Sequence, residues 1–338
     1  MTPRITAVLL AYGAEAWLEE AVGAVLAAED VEIDVVVVDN GCTSGAIDRV
    51  KGRPGVRVIT PETNTGFSGG AVRGAADATG EYLAFVNSDA IVAPGALARL
   101  AGVAGEPRVG LAMASIRLAD APDLINTAGN PLHFVGLSWA GGLGEPAAQH
   151  ARRRSVMTGS GCCFVMRRSL WEDLGGFAAE YFAYLEDTEI SLRIWQRGLT
   201  VEYVPDAVVL HHYEFARNEN KFYLLERNRA ILLLTTYQRR SLLLLAPMLL
   251  LTEILMLAAA AAGGWGRAKL RGWRWLWQHR GWLRSRRALI QGERLVPDAV
   301  VFSRVTARFD PANVAAPPGV AIFNAIMGGY WRVVRKLI

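Results

Sequence analysis

The apolar run Leu83-Ala84-Phe85-Val86 ends abruptly in Asn87-Ser88-Asp89. Four such residues read as a buried strand, and Pro94-Gly95 open the helix that follows. In an open α/β sheet, ligands bind outside the carboxyl ends of the strands. A hard carboxylate there, beside two hydrogen-bonding side chains, suits a divalent cation and a diphosphate. The chemistry indicated is that of an enzyme handling a nucleotide-activated substrate.

Other clusters share this character. Asp39 follows Val35-Val36-Val37-Val38, where a carboxylate can accept a nucleobase N–H or cap a helix. Asn64-Thr65-Gly66-Phe67-Ser68-Gly69-Gly70 is a glycine-rich turn into a helix, whose amino terminus attracts anions. It is neither GxGxxG nor a P-loop. Glu186-Asp187 follows the aromatic run Tyr181-Phe182-Ala183-Tyr184. Such a pair can complement a helix dipole, or supply a general base whose pKa is raised by apolar surroundings. Gly159-Ser160-Gly161 upstream lets an acceptor approach backbone. His211-His212 ends an apolar strand; neighbours on a strand face opposite sides, so one of the two can complete a metal site begun by Asp89.

The elements that must carry these residues alternate. Strands are expected at Ile5–Leu10, Ile33–Val38, Val56–Thr60 and Glu81–Val86, with helices at Glu15–Ala27, Ser68–Ala78 and Pro94–Val103. This βαβ succession implies a parallel sheet with right-handed crossovers. Beyond Val109 the pattern is less regular. A strand is expected at Cys162–Met166 and a helix at Glu186–Arg197. Strands at Thr200–Val204 and Ala207–Leu210 follow, with Pro205-Asp206 turning between them. Asn218 to Tyr237 reads as a helix.

Three Cys among 338 residues, two of them adjacent, make no disulfide framework and no CxxC metal spacing, which fits a reducing compartment. The amino terminus reads as a strand rather than a secretory signal. Composition changes sharply near Gln238–Ser241. Leu242 to Ala262 is apolar apart from Thr252 and Glu253, and Trp265 to Arg294 holds nine Lys/Arg, one acid and five Trp. The apolar stretch could span a bilayer by length, but Pro247, Glu253 and the basic segment after it favour an interfacial or re-entrant helix on anionic lipid. Burial against the rest of the chain and a homodimer interface are the competing uses. Tyr330–Lys336 reads as a further surface anchor.

Taken in order, these motifs resemble the inverting glycosyltransferases of family 2, with a GT-A fold, most of all their rhamnosyltransferase-like branch. The series runs from Val38-Asp39-Asn40-Gly41 through Asn64–Gly70, Asn87-Ser88-Asp89, Gly159–Gly161, Gly175-Gly176-Phe177 and Tyr181–Asp187 to His211-His212, about residues 4–235 in all. The resemblance implies a Rossmann-like, mostly parallel sheet in a catalytic domain at 1–238. Residues 1–110 would form its nucleotide-sugar half and 111–238 its acceptor half; the composition beyond them adds a helical, membrane-associating region at 239–338.

It also implies roles. Ala11, Tyr12, Asp39, Asn64, Gly66, Phe67, Gly69, Asn87, Ser88 and Asp89 would bind the donor. Gly159, Ser160, Gly161 and Tyr184 would meet the acceptor. Asp89 and His211 would hold Mg²⁺ or Mn²⁺, with Asn87 standing where the family's DxD motif has its first Asp. Asp187 would be the base, assisted or oriented by Glu186. The implied reaction is hexosyl transfer from a nucleotide-sugar (dTDP-rhamnose first, a UDP-sugar next) in cell-envelope polysaccharide synthesis, and the apolar and basic stretch after 238 points to a lipid-linked saccharide acceptor at the cytoplasmic face of the membrane. A nucleotidyltransferase would show a Gly-rich, Arg/Lys-containing signature near the amino terminus, and Leu9–Gly13 has none. A nucleic-acid module using Trp265–Arg294 would stack bases on Trp, but the adjacent apolar stretch favours lipid over nucleic acid.

Overall fold

The computed structural model describes residues 2–213, 219–312 and 319–338. The chain divides into two compact units: residues 1–130, 140–194 and 199–214, and residues 131–139, 195–198 and 215–338.

The first unit is an α/β sheet domain. Its strands are β1 (Arg4–Gly13), β2 (Glu32–Cys42), β3 (Val56–Ile59), β4 (Tyr82–Asn87), β5 (Ala90–Val92), β6 (Val109–Leu118), β7 (Ala121–Thr127), β8 (Arg154–Ser155), β9 (Cys163–Arg167) and β10 (Thr200–His211). Its helices are α1 (Leu18–Leu26), α2 (Ala46–Val50), α3 (Gly66–Ala75), α4 (Ala96–Ala104), α5 (Arg168–Leu174) and α6 (Glu186–Gln196), the last running to the edge of the unit. All ten strands form one sheet in the order β3-β2-β1-β4-β9-β6-β10-β5, with β7 on β6 and β8 on β10.

The parallel sheet expected from the βαβ succession is β3-β2-β1-β4. Its central strands are buried on both faces, so they read as unbroken Val/Ile/Leu runs. Beyond β4 the pairing becomes mixed. β9 enters antiparallel between β4 and β6, while β6 and β10 are parallel. Beneath β4 and β9 the Phe85 ring packs on Phe164, Trp171 and Phe177, with centroids 4.9, 4.5 and 5.8 Å away.

One local expectation is corrected. Pro205-Asp206 does not separate two strands. β10 is continuous, and its register on β6 slips between Val204 and Val208, so residues 205–207 form a bulge that absorbs the proline. The helix opened by Pro94-Gly95 is α4, and between it and Asp89 lies the short β5, which pairs antiparallel with the end of β10.

The second unit is helical: α7 (Glu219–Thr236), α8 (Arg239–Ala262), α9 (Gly266–Gln278), α10 (Arg280–Glu293), α11 (Asp298–Phe302) and α12 (Val320–Val334). Asn218, the expected first residue of α7, lies outside the described residues. Phe134 stacks on Trp331 at 4.9 Å, and Phe222 on Trp265 at 4.8 Å. Gln238 and Asp298 exchange two hydrogen bonds of 2.7 and 2.9 Å, which fixes the α7–α8 junction to α11. The composition change at 238/239 thus falls inside this unit, between α7 and α8, and α7 belongs with the helices that follow it.

Candidate active site

Register places the first acids. Leu10 of β1 pairs with Val38 on one side and Asn87 on the other, and Ala11 pairs with Asp39. Asp39 and the Asn87–Asp89 segment therefore flank β1 at the same carboxyl edge, with about 10 Å between their backbones. Asp39 Oδ1 accepts the Gly41 and Cys42 N–H groups at 3.1 and 2.8 Å, which holds its carboxylate in a tight turn. Ala11 is buried; Tyr12 beside it is two-thirds exposed, its ring near Gly41.

The glycine-rich turn is largely consumed in scaffolding. Asn40 donates to the Gly66 carbonyl (2.9 Å) and accepts from the Thr65 N–H and hydroxyl. Asn64 Oδ1 accepts the Gly66 N–H at 2.8 Å, and the Ser68 N–H donates to the Phe182 carbonyl at 3.0 Å. The anion-binding amino terminus expected for α3 therefore has these N–H groups already engaged. Gly66 is obligatory: its φ is +68°, and a Cβ would lie 2.2 Å from the Phe182 carbonyl oxygen. Gly69 is similarly tight, a Cβ there meeting Thr65 at 2.9 Å, while Phe67 is half-buried beside Gly161 and Phe177.

Asp89 and His211 meet directly. His211 is buried, and its Nε2 lies 3.2 Å from Asp89 Oδ1. Its Nδ1 faces Asn126 Oδ1 of β7 at 3.0 Å. A proton on Nε2 would be donated to Asp89, whereas one on Nδ1, donated to Asn126, would leave the Nε2 lone pair facing a carboxylate oxygen. Two electron-rich atoms so placed are stabilised by a cation between them, and an imidazole with a carboxylate suits a divalent metal. Among the described residues no cluster of three or more His, Cys, Asp and Glu assembles. His212 faces away from Asp89 Oδ1. Its ring stacks on Trp17 at 3.5 Å, while its N–H donates to the Asp89 carbonyl.

Glu186 and Asp187 open α6. Asp187 Oδ2 accepts the Gly161 N–H at 2.9 Å, and Oδ1 accepts the Thr188 N–H at 2.6 Å. Glu186 is 6% exposed, and its Oε2 has no hydrogen-bond partner among the described residues. Burial, then the neighbouring Asp187, pushes the Glu186 pKa up to about 8. Burial also raises Asp187, against the opposing pull of its backbone donors. Neither carboxylate pairs with a cation among the described residues. The preceding loop is strained: Phe182, Tyr184 and Leu185 have φ of +63°, +72° and +66°, and both aromatic rings are exposed.

Residues 159–162 link the two acid clusters. The Gly159 N–H donates to Ser191 Oγ, Ser160 Oγ accepts the Cys162 N–H, and Gly161 holds Asp187. The Cys162 carbonyl accepts the Asn87 N–H at 2.9 Å. Burial and then Asp89 raise the Cys162 thiol well above the usual range, so it is an inert spacer. The aspartates far apart in sequence are thereby gathered at one end of the sheet.

Three residues here carried no motif in the sequence. Glu15 accepts the Tyr12 N–H at 2.7 Å; burial raises its pKa, Ser88 opposes the rise and Asp89 adds to it. It was expected inside a helix, but α1 begins only at Leu18. Trp17 and Asn126 also escape notice, since each gains meaning only through its contact with His212 or His211.

The model of Glycosyl transferase family 2 matches residues 6–175, half of the chain. N-acetylglucosaminyl-diphospho-decaprenol L-rhamnosyltransferase of Mycobacterium tuberculosis is 29% identical over 239 residues, covering 63% of this chain and 77% of that protein. The fold is shared with a mannosyltransferase of Pyrobaculum calidifontis solved with GDP-Man and Mn²⁺ (TM-score 0.54, 18% identity, 87% and 86% of the two chains). It is also shared with GalNAc-T7 solved with UDP, GalNAc and Mn²⁺ (TM-score 0.57, 17% identity), where the match covers 70% of this chain and 48% of that one. The chain belongs to glycosyltransferase family 2 and is a hexosyltransferase of GT-A fold.

Proposed function

We propose that this enzyme inverts the anomeric centre of a nucleotide-sugar as it moves the sugar to a hydroxyl of a lipid-linked saccharide. The observation that carries the reading is the Asp89–His211 pair and the uncompensated Glu186-Asp187 pair, joined through residues 161–162 at one end of one sheet. The rhamnosyltransferase relative favours dTDP-rhamnose as donor and a polyprenyl-diphosphate saccharide as acceptor, in cell-envelope polysaccharide synthesis. UDP-sugars come next.

Asp39 receives the donor base, with Ala11 and Tyr12 beside it, and the Asn64–Gly69 turn, Asn87 and Ser88 line the donor pocket. Asp89 and His211 would hold Mg²⁺ or Mn²⁺. A divalent cation supplies positive charge that offsets what develops on the departing diphosphate. The acceptor approaches over Gly159–Gly161 and Tyr184. Its oxygen attacks the anomeric carbon opposite the diphosphate; the new C–O bond forms as the sugar–phosphate bond breaks and that electron pair leaves with the diphosphate. Asp187 Oδ2 or Oδ1 takes the hydroxyl proton, and its raised pKa strengthens it as a base at neutral pH. Glu186, neutral below about pH 8, keeps a second negative charge away from the acceptor. Residues 1–110 form the nucleotide-sugar side and 111–238 the acceptor side. The stretch 242–294 rests on anionic lipid at the cytoplasmic face of the membrane, a peripheral or re-entrant contact.

The test is a panel of dTDP-, UDP- and GDP-sugars, assayed for binding and slow hydrolysis with Mg²⁺, Mn²⁺ or chelator. One donor bound at least tenfold more tightly with metal is the expected result. Equal affinity for all, unchanged by chelator, would contradict the reading.

A further inference from the structure

We infer that α8 lies flat in the membrane interface and does not cross the bilayer; this rests on the lipid contact proposed above. Among the described residues α8 is the one helix long and apolar enough to span. Its two faces differ. Ser241, Leu245, Thr252 and Ala260 are buried in the second unit, whereas Leu243, Pro247, Leu250, Ile254 and Leu257 recur at helical spacing and are exposed. The outward face is apolar along the whole helix, so the side that touches the unit decides how deep α8 can sit.

The flank between these faces carries the decisive contact. Glu253, mid-way along α8, pairs with Arg229 of α7 at 2.6 Å and with Lys269 of α9 at 2.8 Å. Lys269 also pairs with Glu226 of α7, and Arg229 pairs with Glu226 at 2.9 Å. The Trp273 indole N–H donates to Glu253 at 2.7 Å. Helix α9 is only 13 residues long and carries exposed Arg267, Arg271 and Arg274, so it is too short and too charged to enter hydrocarbon. For α8 to span, Glu253 would either drag these partners into the bilayer or leave Glu226, Arg229 and Lys269 without their fourth member. The network therefore fixes α8 at the depth of α9. There the exposed Leu270, Trp273 and Trp277 continue the apolar face, and the arginines meet lipid phosphate. Nine Lys/Arg against one acid in 265–294 select an anionic bilayer over a second, equally basic copy of this chain.

The experiment is depth measurement on the full chain with vesicles of mixed phosphatidylglycerol and phosphatidylcholine. Single cysteines, L243C, L250C and L257C, are labelled with a fluorophore in a C42S background, where Cys162 and Cys163 stay buried. Lipids bearing nitroxides at different acyl depths quench it. Residues 243 and 257 are about 21 Å apart along the helix. An in-plane helix gives three shallow depths equal to within about 5 Å. Depths that run through the bilayer centre, with 243 and 257 near opposite surfaces, overturn the inference while leaving lipid binding intact. Labels shielded without lipid, in a protein that sediments as a dimer, overturn it in favour of self-association. A chain that does not co-sediment with the vesicles overturns the lipid reading and this inference together.

Discussion

Each unit buries a carboxylate cluster, and the two are handled in opposite ways. In the helical unit Glu226 is buried, which alone would raise its pKa, but Arg229 and Lys269 outweigh burial and lower it. In the sheet unit Glu186 is as buried and meets no cation among the described residues, so its pKa rises to about 8 and Asp187 rises beside it. A fully compensated cluster is inert and structural. An uncompensated one stores unfavourable free energy in groups able to exchange protons, which is what a general base needs. The contrast separates scaffold from chemistry more sharply than burial or charge alone.

The largest expected effect comes from breaking the compensated cluster. Glu226→Ala leaves Arg229 and Lys269 with an excess of buried positive charge, and should cost about 3–5 kcal/mol of stability. Denaturant unfolding measures this, and any protein that remains folded should keep its donor affinity. A loss below about 1 kcal/mol would mean that the network is solvated. Next is His211→Ala. Removing the imidazole while keeping Asp89 should weaken metal-supported donor binding by about 10–100-fold. Donor titrations with and without Mn²⁺ read it, and an unchanged affinity would exclude His211 from the metal.

Glu186→Gln is the most diagnostic change. The folded pKa of Glu186 lies above the unfolded value, so its protonation supports the fold fully below about pH 4.5. That support is lost as pH rises through about 8. The slope across this window is about 1.4 kcal/mol per pH unit. Glutamine cannot ionise, so the variant should gain stability relative to the parent between pH 5 and pH 8 and then level off. Parallel melting curves across that range give the comparison; a constant difference would mean that Glu186 ionises normally.

The first four strands were legible because buried parallel strands read as continuous apolar runs, as in Val35–Val38 and Leu83–Val86. Asp39 and Asp89 were legible with them, being set by register at strand ends. What lay hidden depends on contacts across sequence. β5 is three residues long, and its pairing with β10 is non-local. The Pro205-Asp206 bulge has the composition of a turn, and only the neighbouring strand distinguishes them. His211 and His212 are equivalent in sequence until Asp89 and Trp17 choose between them. The compensation of Glu253 was equally invisible: in sequence it interrupts an apolar run, whereas in the fold it fastens α8 to α7 and α9.

The most direct measurement is Asp187→Asn, with transfer and donor affinity followed on the same preparation. Asparagine can keep the Gly161 hydrogen bond but cannot take a proton. Transfer should fall by about 10²–10⁴-fold, with donor affinity within about threefold of the parent. Transfer at the parental rate would contradict the assignment of the uncompensated carboxylate as the base.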